Sequence, residues 1–374
     1  MIKRFIYQIH LWLGLISGLG VFIIATTGCL YAFKEEILNA TEEFRFVEPQ
    51  NSEFLLPSAL IDIAQKELPG KLLHSVKYNG ETKAAEAIFY HYEPTYYYII
   101  YLNPYSGEVL HVKDMEAGFF HFVMDGHFYL WMPPAIGQPV VATLTLIFLL
   151  IVISGIIIWL PKNLKLIKER LWFYWSPKSK WKKRNYDLHN IIGFYVSLYA
   201  LLFIFTGLVW GFQWYAKGYY SLMGGKKSLS YQEPTSKPNE LQKEGNALDE
   251  LYLSIKSSTP DAQSIEVHPP ATDSSAITIA INPDISTYWQ TDYRYFDQQT
   301  LEEITVNHIY GSFKNTTVAD KVMRMNYDLH TGGIIGITGK IIAFVMSLLI
   351  ASLPVTGVII WLNGRKKRKK IVRE

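Results

Sequence analysis

The sequence predicts a membrane protein: four transmembrane α-helices in two tandem repeats, each repeat enclosing a small α+β lobe outside the bilayer. Three observations predict it. Four long stretches carry no charge, basic residues gather at one set of their ends, and the chain repeats its own landmarks in order.

Phe5–Phe33, Phe128–Pro161, Leu188–Ala216 and Ile341–Gly364 contain no Asp, Glu, Lys or Arg. Each exceeds the roughly 20 helical residues needed to cross a hydrocarbon core of about 30 Å. Helices buried in soluble domains are rarely free of charge for so long. The expected segments are membrane helices at 5–33, 128–161, 188–216 and 329–364, with lobes at 34–127 and 217–328. A basic link occupies 162–187 and a basic tail 365–374.

Charge sets the orientation. Lys3 and Arg4, the link and the tail together hold 18 of the 36 Lys/Arg residues but only three of the 33 acids. By the positive-inside rule both termini and the link face the cytoplasm, and the two acidic lobes lie outside. Basic runs that abut membrane spans match anionic lipid, so the bilayer is the expected partner and nucleic acid is not. The first apolar stretch is too long for the core of a signal peptide, about 7–15 residues, and is read as an uncleaved helix. Cys29 is the only cysteine, so no intrachain disulfide or paired-thiol redox motif exists, and redox chemistry would need a cofactor.

The duplication is read from landmarks. Tyr7-Gln8-Ile9-His10 and Tyr186-Asp187-Leu188-His189 each precede a Thr-Gly pair, Thr27-Gly28 and Thr206-Gly207, with histidine and glycine 18 residues apart in both. Met124-Asp125-Gly126-His127 leads to Ser154-Gly155, and Tyr327-Asp328-Leu329-His330 leads to Thr356-Gly357, at separations of 28 and 27 residues. In the lobes, Leu60–Leu68 and Leu248–Ile255 have helical periodicity. Strand-like runs follow at Ala87–Tyr92 and Tyr97–Leu102, and again at Ala276–Ile281 and Tyr293–Phe296. The turn Asn103-Pro104-Tyr105-Ser106-Gly107 carries Pro and Gly. Its counterpart, Asp297-Gln298-Gln299-Thr300-Leu301, lacks both.

These features resemble the PepSY-associated transmembrane family. The Asn-Pro-Tyr-Ser-Gly-Glu-Val turn and the Asp-Leu-His helix starts leading to Ser/Thr-Gly carry the resemblance, which covers nearly the whole chain. It implies two PepSY-like periplasmic lobes on a multi-pass protein of the bacterial inner membrane. It further implies an oxidoreductase, a ferric-siderophore reductase with b-type haem. Gln8 and Gly126 depart from the Asp-Leu-His pattern.

Ten histidines are present, and His10, His127, His189 and His330 stand at repeat-equivalent helix starts. Ionisable residues in membranes are costly and usually functional, and imidazole is a common axial ligand of haem iron. Eighteen helical residues rise about 27 Å, so one haem cannot bridge both levels. A parallel duplication places a pseudo-twofold axis along the membrane normal, relating His10 to His189 and His127 to His330. The expectation is two b-type haems, one held by His10/His189 near the inner face and one by His127/His330 near the outer. Gly28, Gly207, Gly155 and Gly357 are expected to let a flat macrocycle approach, or to let helices pack closely. His121 is an alternative ligand to His127, and Met124, Met323 and Met325 are further candidates. Lys3, Arg4, Arg184 and Arg324 are candidate partners for haem propionates. A compact zinc or copper site finds no converging ligand spacing in the sequence.

The implied function is a transmembrane electron wire. Electrons enter from a cytoplasmic reductant or a quinol and leave to a ferric siderophore docked at the lobes, releasing ferrous iron. The alternative is a cofactor-free membrane anchor presenting PepSY lobes for protein binding or protease regulation. A transporter is a third reading, for which no central intramembrane charge speaks.

Overall fold

The computed structural model describes residues 1–236 and 245–371; residues 237–244 of the second expected lobe and 372–374 of the expected tail lie outside the described residues. In chain order the helices are α1 (Ile2–Tyr31), α2 (Lys34–Thr41), α3 (Pro57–Glu67), α4 (Phe119–Tyr129), α5 (Pro134–Trp159) and α6 (Ile167–Leu171), then α7 (Trp181–Gly211), α8 (Gln213–Leu222), α9 (Ala247–Ser258), α10 (Val318–Arg324), α11 (Asn326–Thr331) and α12 (Gly336–Ile371). The strands are β1 (Leu73–Tyr78), β2 (Ala85–Tyr92), β3 (Thr95–Leu102), β4 (Val109–Asp114), β5 (Ser264–His268), β6 (Ile277–Asn282), β7 (Asp292–Phe296) and β8 (Glu303–Ile304). The chain divides into two units, a bundle and a sheet domain.

The bundle contains the helices long and apolar enough to cross a membrane, α1, α5, α7 and the span 333–365 that includes most of α12. Around the bundle α1 touches α5 and α12, and α7 touches the same two. Helices α1 and α7 therefore face each other across a diagonal. Val21, Ala25, Val196, Ala200, Ile350 and Ala351 bury the middle of the bundle. Ile16, Leu19 and Leu198 are exposed on its outside. Apolar residues facing outward all round mark helices built for lipid.

Two of the expected membrane segments are broken near their starts. Segment 128–161 is interrupted by Leu130 and Trp131, both at positive φ, and by Pro133-Pro134, which starts α5. Proline lacks the N–H that would join α4 to α5. Segment 329–364 is interrupted at Gly332 and Gly336, with φ of 79° and 64°, a conformation glycine adopts without steric penalty. His127 and His330 thus sit on the short helices α4 and α11 that precede the long ones.

The two expected lobes share one antiparallel sheet, ordered β4-β3-β2-β1-β5-β6-β7-β8. The joint is β1 against β5, with Val76 opposite Val267. Helices α3 and α9 cover one face, where Leu60, Leu251, Tyr252 and Ile255 pack on Val76, Phe89, Ile100, Val267 and Ile279. Their first turns are tied together: the Asp249 carboxylate accepts from Ser58 N at 2.9 Å and Ser58 Oγ at 2.6 Å. The two matching turns close alike. Asn103 Oδ1 accepts from Tyr105 and Ser106 N, and Asp297 Oδ1 from Gln299 and Thr300 N. Gly107 has φ 76° and its counterpart Leu301 φ 58°. Loss of Pro and Gly has left the second turn's geometry in place, with a leucine in a conformation that disfavours side chains.

Candidate functional site

Polar groups buried among membrane helices must find partners inside the bundle, so the hydrogen bonds of its histidines show what each ring can still do. His10, on α1, and His189, on α7, face each other across the diagonal with ring centres 6.3 Å apart. His127 and His330 form a second pair at 6.1 Å. The pairs occupy different levels: Gly28, 18 residues beyond His10 on α1, touches His127, a rise of about 27 Å along the helix.

Each ring is anchored through Nδ1 by a neighbouring helix. His10 Nδ1 lies 3.0 Å from both Ser154 Oγ and the Ile151 carbonyl. His189 Nδ1 lies 2.9 Å from Thr356 Oγ1, and the Leu353 carbonyl is also in reach of that ring. His127 Nδ1 bonds the Ile24 carbonyl at 2.9 Å, with Thr27 Oγ1 at 3.5 Å. His330 Nδ1 lies 2.7 Å from Thr206 Oγ1. The four hydroxyls each donate their proton to a carbonyl of their own helix, three or four residues back. With their protons on those carbonyls the hydroxyls accept from the imidazole in the tautomer with the proton on Nδ1 and the lone pair on Nε2; at His10 and His127 a carbonyl bonded to Nδ1 requires the same tautomer.

The residue after each hydroxyl is a glycine against the same ring. A Cβ at Gly28 would stand 2.8 Å from His127 Cε1, at Gly155 3.2 Å from His10 Cε1, at Gly357 3.3 Å from His189 Cε1, and at Gly207 3.6 Å from His330 Cε1. Gly28, Gly155 and Gly357 thus make room for an imidazole, while at Gly207 a Cβ would meet the ring at an ordinary contact distance. In the sequence the only mark of these anchors is the Ser or Thr before each of the four glycines, a pair that by itself assigns the hydroxyl no role.

Donor set and spacing suit an iron held between two imidazoles. A metal–imidazole bond of about 2.0 Å, with the ring centre about 1.1 Å behind the nitrogen, sets opposed ring centres about 6.2 Å apart. Ligating histidines characteristically donate their other N–H to a carbonyl or similar acceptor. At the first pair the helices border an open-sided apolar pocket lined by both histidines, Gly155, Gly357, Gly14 and Gly193. A Cβ at Gly14 would meet nothing within 4 Å, so that glycine borders open space.

Residues 7–363 match the family described as PepSY-associated TM region. The chain belongs to that family. None of the curated proteins matches it.

The other candidates of this PepSY-associated protein are placed as follows. His121 lies six residues before His127 on α4, about 9 Å along the axis and on another side of the helix; the ring opposite His330 is that of His127. Met124 Sδ accepts from the Tyr31 hydroxyl, and Met323 packs against the cluster of Tyr220, Ile309 and Ala319. Arg324, a candidate for a propionate, is buried in the sheet domain and donates to the Thr291 and Gly311 carbonyls. Arg184 donates to Ser176 O, and Lys3 donates to the Leu160 carbonyl at the end of α5, where a cation complements the helix dipole. Among the described residues no three His, Cys, Asp or Glu side chains converge on a compact metal site.

The sheet domain carries a polar row on the face away from α3 and α9. Tyr101, Glu86, Lys77 and Glu266 stand opposite one another across β3, β2, β1 and β5. Burial pushes the Glu86 carboxyl above the usual range, against the pull of Lys77 and Arg45. Burial acts the same way on Glu266, but His268, Lys77 and the Ser75 hydroxyl outweigh it and hold that carboxyl low.

Proposed function

We propose that the protein is a haem-containing reductase of the bacterial inner membrane that passes electrons across the bilayer to a periplasmic ferric siderophore. The observation that carries this reading is the two pairs of opposed imidazoles, each anchored at Nδ1 with its Nε2 lone pair left for a metal. His10 and His189 would hold one b-type haem, and His127 and His330 a second. Each haem, when bound, supplies a one-electron carrier. The chain supplies the rest. Its helices fix the two levels about 27 Å apart, and the apolar residues between them keep the path dry. Gly14 and Gly193 keep the space beside the first pair open.

The basic ends support cytoplasmic termini and a periplasmic sheet domain by the positive-inside rule. A cytoplasmic reductant or a quinol then donates one electron for each ferric ion reduced, and the ferrous ion leaves a chelator built for the harder ferric ion. The test is anaerobic. Dithionite-reduced, desalted protein is mixed with a ferric trihydroxamate and a ferrous-specific chromogenic chelator. The proposal expects the protein to reoxidise as ferrous chelate appears in equal electron equivalents, and His330→Ala to lose the reaction. A reduced protein that stays reduced contradicts it, and a protein with no redox-active colour turns the account toward a cofactor-free anchor for the sheet domain.

A further inference from the structure

His10 and His127 have two acceptors within reach of Nδ1, His189 has a hydroxyl at Nδ1 with a carbonyl near the ring, and His330 has a single hydroxyl. Each anchoring hydroxyl is followed by glycine and preceded, three residues earlier, by a carbonyl on the same helix face. At His10 that carbonyl is Ile151, at 3.0 Å. At His189 it is Leu353, and at His127 it is Ile24, at 2.9 Å. The equivalent carbonyl for His330 is that of Phe203; like the other three it lies within reach of its own helix's hydroxyl, Thr206 Oγ1 at 3.2 Å, but it makes no hydrogen bond with the ring among the described residues. Among the described residues Thr206 is the one hydrogen-bond partner of the His330 ring, at 2.7 Å.

The pseudo-equivalent site is arranged the other way round. At His127 the carbonyl is close and Thr27 Oγ1 stands off at 3.5 Å. The two imidazoles of one pair therefore differ in what fixes them: main chain at His127, a single side chain at His330. Around His330 the remaining contacts are ring edges, Phe203 at 5.7 Å and Trp210 at 5.3 Å between centres. These confine the ring without choosing which nitrogen carries the proton.

We propose that Thr206 is the positioning residue of the outer pair: its hydroxyl alone fixes the His330 tautomer and aims Nε2 toward His127, whereas Thr27 is dispensable. The inference rests on the two-haem reading. Without the Thr206 oxygen the Nδ1–H proton loses its acceptor, and the imidazole becomes a weaker electron donor, since an outer acceptor raises ligand basicity. The ring is then free to flip or swap tautomer, opening the bond to iron. The loss concerns the outer site only, because the inner histidines keep their own hydroxyls and carbonyls.

The test compares Thr206→Val, Thr206→Ser and Thr27→Val in the full-length, haem-loaded protein purified in detergent. Thr206→Ala replaces the valine variant if that protein fails to fold. The readouts are carbon monoxide binding by the dithionite-reduced protein and the midpoint potentials from a redox titration. Wild type, with every iron held on both faces, binds no carbon monoxide. Thr206→Val is expected to bind about one per chain, or to raise one of the two potentials while the other stays. Thr206→Ser, which keeps the hydroxyl, and Thr27→Val behave as wild type. A Thr206→Val protein with unchanged potentials and no carbon monoxide binding overturns the proposal, as does a Thr27→Val protein that changes equally. A wild type without haem overturns the two-haem reading and this proposal with it; two low-spin haems that ignore Thr206 overturn this proposal alone.

Discussion

Alanine substitution at Gly28 and at Gly207 should move stability in opposite directions, although both glycines follow a threonine and touch a histidine. Replacing a mid-helix glycine by alanine gains about 0.8–1.0 kcal/mol from restricted backbone freedom. The new Cβ at Gly207 would sit 3.6 Å from His330 Cε1, an ordinary contact, so that gain survives. At Gly28 the Cβ would sit 2.8 Å from His127 Cε1 and 3.1 Å from Nδ1, roughly 0.7 Å inside a normal carbon contact of about 3.5 Å. Overpacking of this kind costs about 1–3 kcal/mol. Relief by moving the ring would break its bond to the Ile24 carbonyl, about 1 kcal/mol more. The two variants should therefore differ by about 2–4 kcal/mol, with Gly155→Ala and Gly357→Ala between them, as their distances of 3.2 and 3.3 Å require. Denaturant titration of the purified proteins in mild detergent, followed by circular dichroism, measures the order. A Gly207→Ala protein as unstable as Gly28→Ala would refute the ring-clearance argument.

Further outcomes follow from other parts of the molecule. Gly14→Leu should fill the space beside His10 and His189 and lower bound haem from two per chain toward one while the fold persists, as read by pyridine haemochrome and circular dichroism; full occupancy would show that the cavity is not the haem site. Asp328→Ala should destabilise the sheet domain by about 2–3 kcal/mol, because the buried carboxylate accepts from both Tyr288 N and Trp289 N. Limited proteolysis should then cut that domain sooner, and an unchanged cleavage rate would contradict the assignment. Glu86→Gln should leave stability unchanged below the ordinary value of 4.5 and raise it above the raised folded value. The sign follows because ionising a buried carboxyl, whose folded pKa exceeds the unfolded one, weakens the fold as pH rises through that window; a melting-temperature gain confined to acid pH would be the wrong sign.

The membrane helices were legible because lipid demands an unbroken apolar stretch, and the sequence supplies four. The helices and outer strands of the sheet domain were legible from periodicity: Leu60–Leu68 overlaps α3, Leu248–Ile255 lies within α9, and Tyr97–Leu102 lies in β3. The central strands β1 and β5 were not read. His74, Ser75 and Lys77 break the apolar run of β1, and Ser264, Glu266 and His268 that of β5, because one face of the joint carries the polar row. Without those strands the two halves read as separate lobes rather than as one sheet. The histidine pairing was legible from topology alone: the expected duplication sets His10 against His189 and His127 against His330, and those are the rings that face each other. The hydroxyl anchors were not, because Ser-Gly and Thr-Gly also read as ordinary small-residue packing. The helix breaks before α5 and α12 were marked by Pro133-Pro134 and by Gly332 and Gly336, residues that an apolar-stretch criterion passes over.

The most direct measurement is the visible spectrum of the full-length protein purified in detergent from haem-replete cells, oxidised and dithionite-reduced, with haem quantified per chain. The two-pair geometry predicts low-spin b-type bands at two haems per chain, falling to one in His10→Ala and in His330→Ala. A colourless protein, or one whose haem content ignores both histidines, would contradict it.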